Sequence, residues 1–191
     1  MTLDATPPSA RPLRADARRN RERIVHAARE VFARQGGDAQ IDDIARAACV
    51  GVGTVYRHFP HKDALLGELV AERFRLMADN AEHALEVEDP WEAFAGMLRT
   101  NAQFCAGEIG VQQALSRGPD AWEYAAPEIE RLRDTAAELI VRAQRAGVMR
   151  RDFTVDDIPM LMAGLSSTMA VPGYDWRRHL EIILAGIRAP A

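Results

Sequence analysis

Residues 41–48 and 52–58 carry two short apolar patterns with helical spacing, and only three residues separate them. Each segment makes about two turns, too few to hold a helix in water alone, so the pair must fold as a corner against another element. Helices cross closely only where a small side chain sits at the contact, and Ala45 occupies that place in the first segment. Ile41, Ile44, Ala48, Val50 and Val55 line the corner. Pro60 ends the second segment, because the residue before a proline is pushed out of the helical region. Cover comes from residues 17–36, where Ile24, Ala28, Val31 and Phe32 form one apolar stripe and Gly36 and Gly37 stop the helix. The expectation is a three-helix head whose third helix projects outward.

On that third helix, Val55 and Phe59 lie four apart and face inward, which turns Thr54, Arg57 and His58 outward. Gly51 and Gly53 keep its start thin. A thin helix start bearing hydrogen-bonding groups suits the DNA major groove, about 12 Å wide. Arg57 brings a fork of donors, Thr54 and Tyr56 bring hydroxyls, and Lys62 opens the next helix. The formal net charge of −4 argues superficially against such a partner, but its distribution does not. Residues 11–62 hold 11 Lys and Arg against 6 Asp and Glu, whereas residues 63–191 hold 13 against 21. A basic head sits on an acidic body. The competing reading is a structural corner that touches no nucleic acid. Arg11, Arg14, Arg18, Arg19, Arg21 and Arg23 read equally as a phosphate-seeking arm or as a solvated face.

Other residues that attract a chemical reading have plainer explanations. His58 and His61 are three apart, but Pro60 breaks the helix between them and no third ligand is near in sequence, so no metal is expected. Asp42 with Asp43, and Asp156 with Asp157, each begin an expected helix, where negative charge complements exposed N–H groups. Cys49 and Cys105 sit in no metal-ligand spacing and are expected as reduced thiols. An oxidation-sensing thiol at the Cys49 turn competes with a small buried filler. With no nucleophile–base set and no glycine-rich phosphate loop, neither a cofactor nor an enzyme is expected; a small helical enzyme and an interaction module without DNA are the alternatives.

Helical periodicity continues to the C-terminal end. Helices are expected over 62–86, 91–106, 108–116, from Pro127 to Gly147, over 154–169 and over 175–188, with a turn over 117–120 and Trp122 and Tyr124 in a loop or short helix. Asp89 and Pro90 form an N-cap and first-turn proline, and Thr154 with Asp157 a capping box. No segment alternates with the period of a strand. The fold class expected is all α with about nine helices: residues 1–13 a disordered arm, 14–61 a helix-turn-helix DNA-binding head, and 62–191 a larger helical domain for effector binding and dimerisation. No apolar run approaches the roughly 18 residues of a membrane span, and the first residues lack a signal-peptide core, so a cytoplasmic location is expected.

"IDDIARAACVGVGTVYRHFPHKDAL", residues 41–65, resembles the helix-turn-helix and start of the fourth helix in the tetracycline-repressor-like (TetR) family. "RIVHAAREVFARQGG", residues 23–37, resembles its first helix, so the likeness covers about 17–66. The resemblance implies that Val52, Gly53, Thr54 and Arg57 lie near base edges or backbone, and that Tyr56, His58 and Lys62 hold phosphate. Three positions depart from the family pattern: Cys49 where the turn usually has glycine, Gly51 where a serine-like cap is usual, and Gln40 where Thr or Ser is common. The resemblance also implies a homodimer on a palindromic operator, paired through Met160, Leu161, Leu165, Met169, Trp176, Leu180, Ile183, Leu184 and Ile187. An effector pocket would draw on Phe74, Met77, Phe94, Met97, Leu98, Asn101, Phe104, Cys105, Leu115, Trp122, Tyr124 and Leu139. Together these describe a ligand-responsive repressor, with double-stranded DNA and a small-molecule effector as partners.

Overall fold

A computed structural model describes residues 10–107 and 119–189. Among the described residues the chain is all α, with eight α-helices and no strand. They are α1 (Ala10–Gln35), α2 (Ile41–Ala47), α3 (Val52–His58), α4 (Lys62–Ala84), α5 (Pro90–Gly107), α6 (Ala126–Arg145), α7 (Asp157–Met169) and α8 (Trp176–Ile187). Short 3-10 turns occupy Gly36–Asp38 and Pro119–Ala125. The helix expected over 108–116 lies outside the described residues.

Helix α1 is described from Ala10, ahead of the start expected near Ala17, and residues 1–9 lie outside the described residues. Further ends follow local chemistry. Asp89 Oδ1 accepts from the amides of Trp91 (2.8 Å) and Glu92 (3.0 Å) to start α5. Asp175 does the same for Arg178 N at the start of α8. At α7 the capping box is altered: the amide and hydroxyl of Thr154 both donate to Asp157 Oδ2, at 2.7 and 3.1 Å.

Two apolar cores share one long helix. The first joins α1, α2 and α3 to Leu65, Leu66, Leu69 and Val70 of α4. The second joins Ala81 and Ala84 of α4 to α5, α6, α7 and α8 through Trp91, Phe94, Leu98, Leu139, Leu165 and Leu184. Helix α4 therefore runs from head to body. Arg142 of α6 closes its far end by donating to the carbonyls of Leu85 (3.0 Å), Val87 (2.6 Å) and Glu88 (2.6 Å), which have no helical partner. Body segment Pro119–Ala125 reaches into the head: Ala125 is fully buried in the first core and Trp122 packs against it. A Cβ on Gly67 would stand 2.5 Å from the Tyr124 ring, so glycine there lets this segment lie directly on α4.

The C-terminal stretch is tied back by one antiparallel bridge between Met149 and Arg188, with the Arg188 guanidinium 4.6 Å above Trp91. Five residues expected at a subunit interface sit elsewhere. Leu165, Met169, Leu180, Leu184 and Ile187 are buried in the chain's own second core, because α7 and α8 turn those sides toward α5 and α6. Of that set Met160 stands out in solvent, and Leu161, Trp176 and Ile183 are half-buried.

Candidate nucleic-acid interface

The head is assembled from the outside of α1 inward. Ile24, Ala28, Val31 and Phe32 are buried, and so are Ile41, Ile44, Ala45 and Ala48 of the α2 segment. Helix α3 adds two anchors, Val55 (0% exposed) and Phe59 (3%). With that side fixed, Val52, Gly53, Tyr56 and Arg57 face solvent, while Thr54 and His58 are half-buried. Tyr56 exposes 49% of its surface. Gly51 precedes the helix with φ −71° and ψ 146°, an extended conformation open to any residue. A Cβ on Gly53 would meet nothing within 4 Å. Neither the backbone nor the packing of this chain requires glycine at position 53.

The turn before α3 is held from three directions. Val50 N donates to Ala45 O (3.0 Å) and Cys49 N to Arg46 O (3.1 Å), a Schellman closure of α2. Cys49 is exposed and takes φ 52°. Arg23 Nη2 crosses from α1 to the carbonyls of Ala48 (2.6 Å) and Cys49 (3.3 Å). Gln40, the residue before α2, makes no side-chain cap and instead donates to Asp38 O at 2.8 Å.

After α3, His61 caps α4 by accepting from Ala64 N at 3.1 Å through Nδ1. That bond leaves the ring proton of the neutral imidazole on Nε2. Lys62, expected on phosphate, is half-buried and donates to Gly37 O at 2.8 Å, 5.6 Å from the Phe32 ring centre. One of its three donors is thus committed inside the head. The arginines of α1 are similarly engaged. Arg18 pairs with Glu22 at 3.6 Å and Arg19 with Asp16. Arg21 grips Glu68 of α4 with two bonds of 2.6 Å, its guanidinium 5.2 Å from the Phe59 ring centre. This hydrogen bond holds the Glu68 carboxyl below its ordinary range and raises the Arg21 value. The side chains of Arg11 and Arg14 lie outside the described residues. By contrast, Arg57 makes no ion pair or hydrogen bond among the described residues. No group of three or more metal-ligating side chains occurs among the described residues.

The residues expected around an effector divide between the two cores. Phe74 and Trp122 meet edge to face at 5.9 Å beside the first. Phe94, Met97, Leu98 and Leu139 are buried in the second, and Met77 is buried in α4. Asn101 is 3% exposed; its Oδ1 accepts from Asn80 at 2.9 Å. Phe104 and Cys105 are half-buried, Tyr124 is 47% exposed against Gly67, and Leu115 lies outside the described residues. A surface cleft of about 860 Å³ at the far end of the body, bounded by Gln144, Met149, Arg150 and Arg188, includes none of them. Sequence reasoning gave Arg23 and His61 other roles and did not single out Gly67, because their contacts depend on atoms brought together by folding.

A short helix pair ending in an exposed recognition helix, on an otherwise all-helical body, defines a helix-turn-helix protein. Family comparisons agree: residues 24–69 match the family described as "Bacterial regulatory proteins, tetR family", and residues 89–189 match "Transcriptional regulator SbtR-like, C-terminal domain". A TetR transcription regulatory protein from Mycobacterium vanbaalenii has a crystal structure 37% identical in sequence, covering 93% of this chain and 100% of that one, with a TM-score of 0.66. The chain belongs to the TetR family of bacterial regulatory proteins. The uncharacterized HTH-type transcriptional regulator TtgW of Pseudomonas putida is 42% identical over 85 residues, which is 44% of this chain and 63% of that protein. The HTH-type transcriptional regulator SrpR of Pseudomonas putida is also 42% identical over 85 residues, covering 44% of this chain but 40% of SrpR. The chain thus spans less than two thirds of these two relatives.

Proposed function

We propose that the protein is a homodimeric, ligand-responsive transcriptional repressor that leaves a palindromic operator when a small molecule binds its body. Residues 14–61 read DNA, helped by the first turns of α4, and residues 62–191 dimerise and bind the effector. The carrying observation is the outer side of α3, where Val52, Gly53, Tyr56 and Arg57 are exposed over the fixed anchors Val55 and Phe59. Arg57, Gly53, Val52 and Thr54 meet base edges or nearby backbone, and Tyr56, His58 and the remaining donors of Lys62 meet phosphate.

One head makes few contacts, and two heads about 34 to 36 Å apart read successive turns of the duplex. Support for the second copy comes from Met160, Tyr174 and Ile182, which are 67, 65 and 57% exposed on α7, the following turn and α8. A symmetric partner packed on these two helices would cover such side chains. The effector lies among α4, α5 and α6, and α4 carries its influence to the head.

Selection of duplexes from random oligonucleotides tests this reading. An enriched inverted repeat, bound with an affinity that falls steeply with salt, is expected of a head that neutralises several phosphates. A protein that stays monomeric and enriches no inverted repeat refutes it.

A further inference from the structure

We propose that Arg23 is a positioning residue for DNA recognition: from α1 it holds the turn before α3 in a left-handed conformation that Cys49 does not favour by itself. The proposal rests on α3 being the DNA-reading helix. Cys49, at φ 52°, is the only non-glycine residue with positive φ among the described residues. An L side chain in that region crowds the following carbonyl, a penalty glycine escapes. The two backbone bonds of the Schellman closure use the carbonyls of Ala45 and Arg46. Beyond Ala47 lie the carbonyls of Ala48 and Cys49, and Arg23 Nη2 donates to both, at 2.6 and 3.3 Å.

The anchor for this contact is firm. Ile24, the neighbour of Arg23, is fully buried in the head core, and Ala27 is 4% exposed. On the other side only Val50 and Gly51 separate Cys49 from the first residue of α3, and Val50 packs on the same core. With Val55 and Phe59 anchored in the core, a change in the backbone angles of Cys49 therefore displaces the start of α3, at Val52 and Gly53. A charged donor on these carbonyls is also stronger than a neutral one. Arg23 consequently acts through the backbone, and not by touching phosphate.

The two roles separate experimentally. Arg23→Met keeps the aliphatic stem and removes the donors, and Cys49→Gly removes the steric penalty. Binding is measured across a salt series to the duplex that the wild-type protein enriches from random oligonucleotides. Arg23→Met is expected to weaken binding about tenfold with the salt slope unchanged, whereas in the Cys49→Gly background the same change costs less than about threefold. A slope shallower by about one, with equal losses in both backgrounds, identifies a phosphate contact and overturns the proposal.

Amide hydrogen exchange on the protein without DNA gives a second readout. The Val50 amide is expected to exchange at least about fivefold faster in Arg23→Met, with core amides of α1 unchanged and the effect reversed by Cys49→Gly. An unchanged Val50 rate overturns the proposal. If wild-type protein enriches no duplex while the exchange result holds, the DNA reading falls and the turn-holding role of Arg23 stands.

Discussion

Helices α1 and α3 both turn basic side chains to the surface of the head, yet they use them differently. On α1, Arg18, Arg19 and Arg21 are paired with carboxylates and Arg23 caps the α2 turn. On α3, Arg57 makes no ion pair or hydrogen bond among the described residues and rises from a helix pinned by Val55 and Phe59. A charge already paired must give up its partner before it meets a phosphate, so the positive surplus of residues 11–62 overstates the cations on offer. Most of the described arginine side chains of α1 are thus engaged within the head, with exposed Arg34 the exception, whereas Arg57 of α3 is not engaged among the described residues.

Arg57→Ala tests that division most strongly. Loss of a bidentate base contact removes about 1 to 3 kcal/mol of discrimination, so preference at one base pair should relax by about 5- to 150-fold with the melting temperature unchanged. Equal losses on every sequence would instead assign Arg57 to the backbone.

Gly67→Ala should do the reverse. The new methyl group meets the Tyr124 ring, and an overpacked contact of this kind costs about 1 to 3 kcal/mol of stability. Thermal unfolding reads it as a drop of roughly 2 to 10 °C for a chain of this size. An unchanged melting temperature would mean that residues 119–125 are not pressed against α4.

Gly53→Ala sharpens the comparison on α3 alone. Open space around position 53 and the better helix propensity of alanine predict a gain of up to about 1 kcal/mol in stability, together with weaker operator binding. If operator affinity is retained, the groove does not approach this helix closely.

The smallest effect is expected from the Arg21 and Glu68 pair. Both side chains are about a third or more exposed, so a double-mutant cycle with alanine should give no more than about 1 kcal/mol of coupling. The folded state holds Glu68 below its ordinary value. Its stabilisation is therefore complete above the unfolded value of about 4.3 and fades as pH falls through the lower folded value. The melting temperature should fall less between about pH 5 and pH 3 in Glu68→Gln than in the wild type. Identical acid limbs would remove the pair from the account of head stability.

Helix ends were legible where their chemistry is local. Asp89 and Pro90 start α5 within a few residues of the groups they satisfy, and Pro60 ends α3 by clashing with its own neighbour. The outward side of α3 was legible too, since two apolar residues four apart fix the orientation of a short helix. His61 was not, because whether an imidazole accepts an amide bond depends on its rotamer and tautomer. Lys62 and Arg23 each meet carbonyls 25 or 26 residues away, which no local pattern specifies.

What the sequence determined by itself is the succession of helices and the side of each that avoids water, because periodicity and caps act over a single turn. It did not determine which neighbour covers that side. Leu165, Leu180 and Leu184 were read from the sequence as intersubunit surface, and only the packing of α7 and α8 on the body placed them inside. The tertiary structure also decided which cations remain available, since an ion pair forms between charges that folding brings within reach, however far apart they lie along the chain.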